Sequence, residues 1–522
     1  MQSFPLTSFS LRRGLLASTM LVGVLAIASC DNTVHLTDVP PLQPASVDAN
    51  AGTWRMIVLT GPEQVAVSAP APVTSDAYRA EIEAVKTAQA GITEEQQRAV
   101  TYWSGGGVLR WNQIERELVA RFNLPPVPRA DGTYAVPDAE NPFGLPAFPF
   151  SNPPYAARAY SYVSVAQYEA LKSAWYWKFR YNRPSPAKVS SAVHATVQLT
   201  DLPAYPSEDA VLSGVSAEML KLLFPAAVEE ITTLAAEQRV AAVLSGRATA
   251  SDVAAGLALG KSVAALVIAR AGGDGMKNAV GTPAQWSALA NAVTARGELA
   301  WTSLETPARP PMLPFFGQVK AWTMTPAQVT AAMPAPPPST SSPQMLADVA
   351  EVKETVDHLS RAQVAIAQKW NDGAGTYTPP GHWNVIASDY VRDARMSEVG
   401  AARVFALLNM AMHDAAVGCW TTKFTYFNPR PAQMDPSIKT VIGLPNFPSY
   451  PSGHSTFSAA AAAVLSYVFP QGAQDFAAMS DEAGISRMYG GIHYRTDIVR
   501  GKEHGQRIGD NVVQYARTEQ VP

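Results

Sequence analysis

The chain has 522 residues, of which 47% are apolar and 16% charged, and its formal net charge is −3. That composition builds packed cores and excludes a disordered chain. It offers no basic field for a nucleic-acid partner, so any anion site has to be local.

The first thirty residues read as an export signal. Arg12-Arg13 precedes an apolar run from Leu15 to Ala28, which ends in Ser29-Cys30. A positive start, a short apolar stretch and small residues before a break are signal-peptide features, and the run is short of the roughly 20 residues that span a membrane comfortably. Ile27-Ala28-Ser29-Cys30 resembles a bacterial lipobox. The likeness implies a lipidated Cys30 at the start of an exported protein held to a membrane of the bacterial cell envelope; a cleaved signal with an incidental cysteine is the competing reading. The Arg pair also weakly resembles a twin-arginine signal. Cys419 is the only other cysteine. If Cys30 is modified no disulfide remains, and Cys419 reads as a small buried hydrophobe beside Trp420. No later run of 18 uncharged apolar residues follows, so the body is expected to be soluble and at most tethered.

Residues 31–78, rich in Pro, Ser, Thr and Val, read as a tether with a short strand at most near Trp54–Leu59. Helical periodicity follows over about 79–123, 155–178, 206–223 and 225–270, with a Pro-rich loop at 124–154. Residues 273–345 read as a Pro-rich linker region, ending in the run Pro334 to Pro338. Helical patterning resumes over 346–522, with loops at 371–383, 425–450 and 488–497. Convincing β alternation is almost absent, so the fold is expected to be all-α.

The chain repeats itself at an offset of 245 residues. Ala156-Ala157-Arg158 corresponds to Ala401-Ala402-Arg403, and Trp175, Lys178 and Phe179 to Trp420, Lys423 and Phe424. Tyr205-Pro206-Ser207 corresponds to Tyr450-Pro451-Ser452, and Asp252, Gly256 and Gly260 to Asp497, Gly501 and Gly505. Trp103 and Trp111-Asn112 resemble Trp370 and Trp383-Asn384 after a small length change. The expectation is an internal duplication giving two related helical bundles, residues 79–272 and 346–522, with the active site in the second. Gly453, His454, Arg487 and His493 correspond to Glu208, Asp209, Ala242 and Ala248. Two carboxylates where an anion would sit predict a catalytically dead first bundle. The retained glycines point to helix packing.

The second bundle concentrates the chemistry. Lys423, Arg430, Ser452-Gly453-His454, Arg487, His493 and Asp497 fall within 75 residues. Cations, a glycine amide at a helix start and two histidines suit a tetrahedral oxyanion passing through a trigonal-bipyramidal state. One histidine can attack or ligate the central atom, and the other can move a proton on the far side. Taken singly, each block also has a structural explanation: a solvated Lys and Arg, an N-cap at Ser452, a structural His/Asp pair. Asp414, next to His413, reads as structural, with an ion pair to a site cation as one form of that role. His35, His194, His358, His382 and His504 read as structural or surface groups.

Together the blocks resemble the signature of the type 2 phosphatidic acid phosphatase superfamily, which includes bacterial acid phosphatases and vanadium-dependent haloperoxidases. The resemblance implies that Lys423, Arg430 and Arg487 hold the equatorial oxygens with help from Ser452 and Gly453. It implies His493 as phosphate nucleophile or vanadate ligand, His454 as acid–base residue and Asp497 as the group that orients His493. The stretches Phe447–His454, Pro379–Asn384 and Ser486–His493 look like the bacterial haloperoxidase-like branch, for which vanadate would be the cofactor and halide and hydrogen peroxide the substrates. The spacings from Arg430 to Ser452 and from His454 to Arg487 are compact, as in acid phosphatases, whose substrates are phosphate esters and which need no cofactor. A non-enzymatic oxyanion-binding lipoprotein is the third reading.

Overall fold

The computed structural model describes residues 40–136, 138, 140–145, 148–519 and 521; the expected signal segment, Cys30 and His35 lie outside them. The architecture is the expected all-α one, and no strand occurs among the described residues. Ten of its helices form the central packing: α1 Gly107–Phe122, α2 Pro153–Tyr181, α3 Glu208–Leu223, α4 Val228–Leu244, α5 Ala250–Gly272, α6 Thr378–Asp393, α7 Glu398–Tyr426, α8 Gly453–Val468, α9 Ala473–Tyr489 and α10 Arg495–Arg517.

Helices α2 to α5 and α7 to α10 match in length pair by pair, at 29, 16, 17 and 23 residues. Each pair starts at the 245-residue offset seen in the sequence, as with Pro153 and Glu398. The caps repeat too. Helices α2 and α7 both end on a left-handed residue, Asn182 (φ 48°) and Phe427 (φ 50°), whose N–H closes on the carbonyl of Lys178 or Lys423. Ser207 and Ser452 cap α3 and α8. Trp103 and Trp370 donate at 2.8 Å to Glu237 and Glu482, themselves 245 residues apart.

The two bundles share one core, with α2 packed along α7 at its centre. Both helices are buried on nearly all sides, which is why neither carries an amphipathic stripe. Polar side chains inside that contact satisfy one another. Asn409 donates to Ser164 Oγ at 2.9 Å, Asn384 donates to Asn409 at 2.8 Å, and Asn112 donates to Asn384 at 2.7 Å. The glycines pack as expected: a Cβ on Gly256 or Gly501 would run into the backbone carbonyl of Ser207 or Ser452, so α5 and α10 lie flush on α3 and α8. The segment Ala250–Asn278 is apolar and long enough to cross a membrane, with mean hydropathy 1.7, but α5 packs along α3 in the core of the first bundle.

Several expectations need correction. The tether reading fails for residues 40–75, because Trp54, Leu59 and Val67 are buried and Glu169 of α2 accepts the backbone N–H groups of Ile57, Val58 and Leu59 at 2.8–2.9 Å. No strand forms there. Part of the 273–345 linker docks in the same way: Asp414 of α7, 245 residues after Glu169, accepts the N–H groups of Trp322 and Thr323 at 2.7 and 2.9 Å. Asp414 is therefore structural, but it anchors backbone donors and pairs with no site cation. The 371–383 loop is shorter than expected, because Pro379 and Pro380 occupy the first turn of α6, where a missing N–H costs nothing.

Candidate functional site

Each block of the signature sits at the end of a helix. Lys423 occupies the last turn of α7, and the left-handed cap at Phe427 turns the chain toward Arg430, which caps the short helix Pro431–Met434. Ser452 caps α8, which makes Gly453 and His454 its first two residues. Arg487 lies in the last turn of α9. His493 precedes α10, and Asp497 lies in the first turn of α10. The free N–H groups at the start of α8 favour an anion. A Cβ on Gly453 would meet only Phe457, at 3.9 Å, so the backbone there is open to a close ligand.

All eight candidate residues come together, but they are not equally placed. Gly453, His454, Arg487 and His493 line a cavity of about 420 Å³. Lys423 and Arg430 lie behind it, fully buried and 5.1 and 5.0 Å from the centre of the Phe447 ring. The Lys423 ammonium donates to the carbonyls of Pro448, Ser449 and Pro451 at 2.9, 2.8 and 2.5 Å. Arg430 donates through Nε to Phe447 and through Nη1 to Ile492, while its buried Nη2 has no partner. Arg487 donates to Ser486 Oγ at 2.9 Å and to the Trp370 carbonyl. Among the described residues, none of the three cations makes an ion pair. The Ser452 hydroxyl accepts from the Ser455 N–H at 3.3 Å, so it serves the cap.

His493 is held from behind. Its Nδ1 lies 2.8 Å from Asp497 Oδ2, which also accepts from Ser449 Oγ at 2.5 Å, and its Nε2 faces Arg430 Nη1 at 3.0 Å. Asp497 packs as well as orients, since its carbonyl accepts the Ser452 N–H at 3.0 Å. Burial and the neighbouring cations Arg430, Lys423 and Arg487 hold His493 far below the usual imidazole range, so it is neutral. Burial also pushes Lys423 down, Arg430 to about 10 and Arg487 to about 9. Burial raises the Asp497 carboxyl against the pull of Ser449 and the cations. Three buried cations without an ion-pair partner among the described residues leave the cluster short of negative charge.

Two further residues adjoin the site: Asp372, on which the sequence reading is silent, and His382, which it reads as structural or surface. Asp372, in the loop before α6, lies 3.5 Å from His454 Nε2 and 3.1 Å from His382 Nδ1. Burial alone would raise this carboxyl, but the hydrogen bond to His382 and the nearby His454 outweigh it and hold Asp372 at about 2. His382, expected to be structural or surface, stacks on Trp370 at 4.3 Å. His454 is itself pushed down to about 4, by burial and then by Arg487, against the pull of Asp372.

In the first bundle the equivalent groups neutralise one another. Lys178 pairs with Glu208 at 2.7 Å, Arg247 with Asp209 at 2.7 Å, and Arg183 with Asp252. Glu208 and Asp209 replace Gly453 and His454, so carboxylates of the chain itself supply the charge that the second bundle lacks.

The sequence model of the PAP2 superfamily matches residues 403–503, the span from α7 to α10 that holds Lys423, Arg430, Ser452, Gly453, His454, Arg487, His493 and Asp497. Among curated proteins, the chain is 38% identical over 74 residues to a non-specific acid phosphatase of Salmonella typhi and 36% identical over 74 residues to one of Salmonella typhimurium. Each match covers 14% of this chain, which spans about a quarter (27%) of the length of either relative. Among solved structures, the fold is similar to a bacterial vanadium-dependent iodoperoxidase, with TM-score 0.59 and 22% identity over 78% of this chain and 95% of that one. It is also similar to a bacterial vanadium-dependent chloroperoxidase, with TM-score 0.51 and 14% identity over 73% of this chain and 96% of that one.

Proposed function

We propose that the second bundle binds a tetrahedral oxyanion and that the chain is a vanadium-dependent haloperoxidase-like enzyme, oxidising halide with hydrogen peroxide. The observation that carries this reading is the buried, unpaired cation cluster of Lys423, Arg430 and Arg487, with Arg430 Nη2 lacking any partner. The residues fit vanadate: Arg430, Arg487 and the start of α8 at Gly453 would hold its oxygens, and neutral His493 would offer Nε2 to the central atom. Vanadate, when bound, supplies the Lewis acidity that activates peroxide. The chain's own part is to neutralise the oxyanion, to aim His493 through Asp497, and to hold or move a proton at His454. The activities named for the two fold neighbours support this choice.

The local identity to the Salmonella enzymes supports a second reading, a phosphomonoesterase. There, Nε2 of His493 attacks phosphorus in line, forming an N–P bond as the ester P–O bond breaks, and His454 gives its proton to the leaving oxygen. Water then cleaves the N–P bond and releases phosphate. One cage serves both because vanadate resembles the phosphoryl transition state. The test is to assay the purified full chain twice, with an aryl phosphate in the absence of vanadate and with halide plus peroxide in its presence. His493→Ala should abolish whichever activity is found; retained activity sinks the site assignment.

We also propose that the two bundles arose by duplication and that the first has become a neutralised scaffold. The lipobox likeness supports a lipid anchor at Cys30 in the bacterial envelope. Mass analysis of the mature N-terminus tests the anchor, and an unmodified Cys30 there rules it out.

A further inference from the structure

The cavity that exposes His454, Arg487 and His493 continues outward along walls that the oxyanion chemistry leaves unused. Phe150, from the segment before α2, faces it together with Met312 of the 273–345 segment and Trp420, Phe447 and Phe457 of the second bundle. These apolar side chains make up much of the cavity wall, beside the polar groups of Asn123, Glu305, Asn371 and Asn446. A halide or a bare phosphate needs no such lining, whereas the organic part of a larger substrate does.

One cation breaks this apolar wall. The Arg309 side chain is 9% exposed, lines the same cavity and lies 5.9 Å from the centre of the Phe150 ring. Its Nη2 donates to Glu305 Oε1 at 2.7 Å, which fixes the plane of the guanidinium, while its buried Nε has no partner among the described residues. The segment carrying it is pinned to the cage: Asn446 Nδ2 donates to the Pro310 carbonyl at 2.6 Å, and the Arg309 N–H donates to Ser303 Oγ at 3.2 Å. A buried guanidinium N–H without an acceptor is costly, and folded proteins seldom leave one unless an acceptor arrives. Glu305 lines the same cavity beside Arg309 and is 39% exposed, so its charge is shared with solvent.

We propose that this outer chamber is a subsite for the organic part of the substrate: an aryl or short alkyl group that carries a carboxylate, packed between Phe150 and Phe457 with the carboxylate on Arg309 Nε. This deepens the reading of the cage as the reaction centre and rests on it. Arg309 is a specificity-determining residue under this assignment. It takes no part in the chemistry.

Calorimetric titration of the full chain with benzoate and with benzamide, at saturating orthophosphate so that the cage itself is filled, tests the subsite. Wild type should bind benzoate roughly tenfold more tightly than benzamide, the size of one charge-assisted hydrogen bond. Arg309→Met should remove that preference and leave orthophosphate affinity unchanged, and Arg309→Lys should keep part of it. Absent benzoate binding, equal binding of the two probes by wild type, or a preference that survives in Arg309→Met would overturn the subsite. Failure of orthophosphate to bind would instead count against the cage, and the benzoate comparison would still judge Arg309.

Discussion

Nη1 of Arg430 lies 3.0 Å from Nε2 of His493, while Asp497 holds the opposite ring nitrogen at 2.8 Å. The ring is therefore fixed in one tautomer, protonated at Nδ1, with its lone pair turned to the cations. On the proposed reading, an anion entering the cage would take over the Arg430 donor and meet that lone pair. Asp497→Asn should keep the packing and lose the tautomer, lowering kcat by on the order of 10²–10⁴-fold with little change in KM. Steady-state kinetics checks this, and a change confined to KM would contradict the orienting role.

Asp372 should set the proton affinity of His454. Its carboxylate favours the charged ring, opposing burial and Arg487. Asp372→Asn should therefore push His454 below about 4, and the limb of the pH–rate profile that requires a protonated His454 should move to lower pH. An unmoved limb would remove Asp372 from the site.

Anion binding should take up a proton at mildly acid pH. His454 titrates at about 4 in the free protein because it is buried beside Arg487. A bound dianion adds the missing counter-charge and raises that value, so the complex holds more protons than the free protein between about 4 and the new value. Affinity must then fall as pH rises through that window. Titration of sulfate, a dianion at about pH 5, in buffers of different ionisation enthalpy reads the uptake directly, and it should vanish in His454→Gln.

Disturbing the first bundle should cost stability without touching turnover. Glu208→Gln leaves the buried Lys178 ammonium facing a neutral amide and should destabilise the fold by about 3–5 kcal/mol. Denaturant unfolding measures the loss. Activity per folded molecule should match wild type, and a fall in kcat would mean the first bundle is more than a scaffold.

Much of this site could be read in the chain because its residues come in short blocks at helix ends. Lys423 and Arg430 bracket one cap, Ser452–His454 form another, and Arg487, His493 and Asp497 span the turn between α9 and α10. The first bundle served as an internal control, since Asp252 and the packing glycines persist where Gly453, His454, Arg487 and His493 are replaced. Asp372 escaped because an aspartate in a glycine-rich loop carries no spacing signal, and His382, although inside the family-like stretch Pro379–Asn384, was read as structural or surface. Only the fold brings them beside His454. The tether and linker readings trusted proline content, yet a buried carboxylate at the same place in both central helices, Glu169 and Asp414, was the sign that each bundle has to dock an outside segment. Arg247 was missed because it lies one position from the expected alignment, opposite Ile492 and not His493.

The most direct test of the central claim is binding of orthovanadate to the full chain, followed by vanadium NMR or calorimetry. The account predicts one site per chain, competed by phosphate, lost in His493→Ala and Arg487→Ala, and unaffected by Arg247→Met in folded protein. Binding that survives both second-bundle substitutions, or no binding at all, would contradict it.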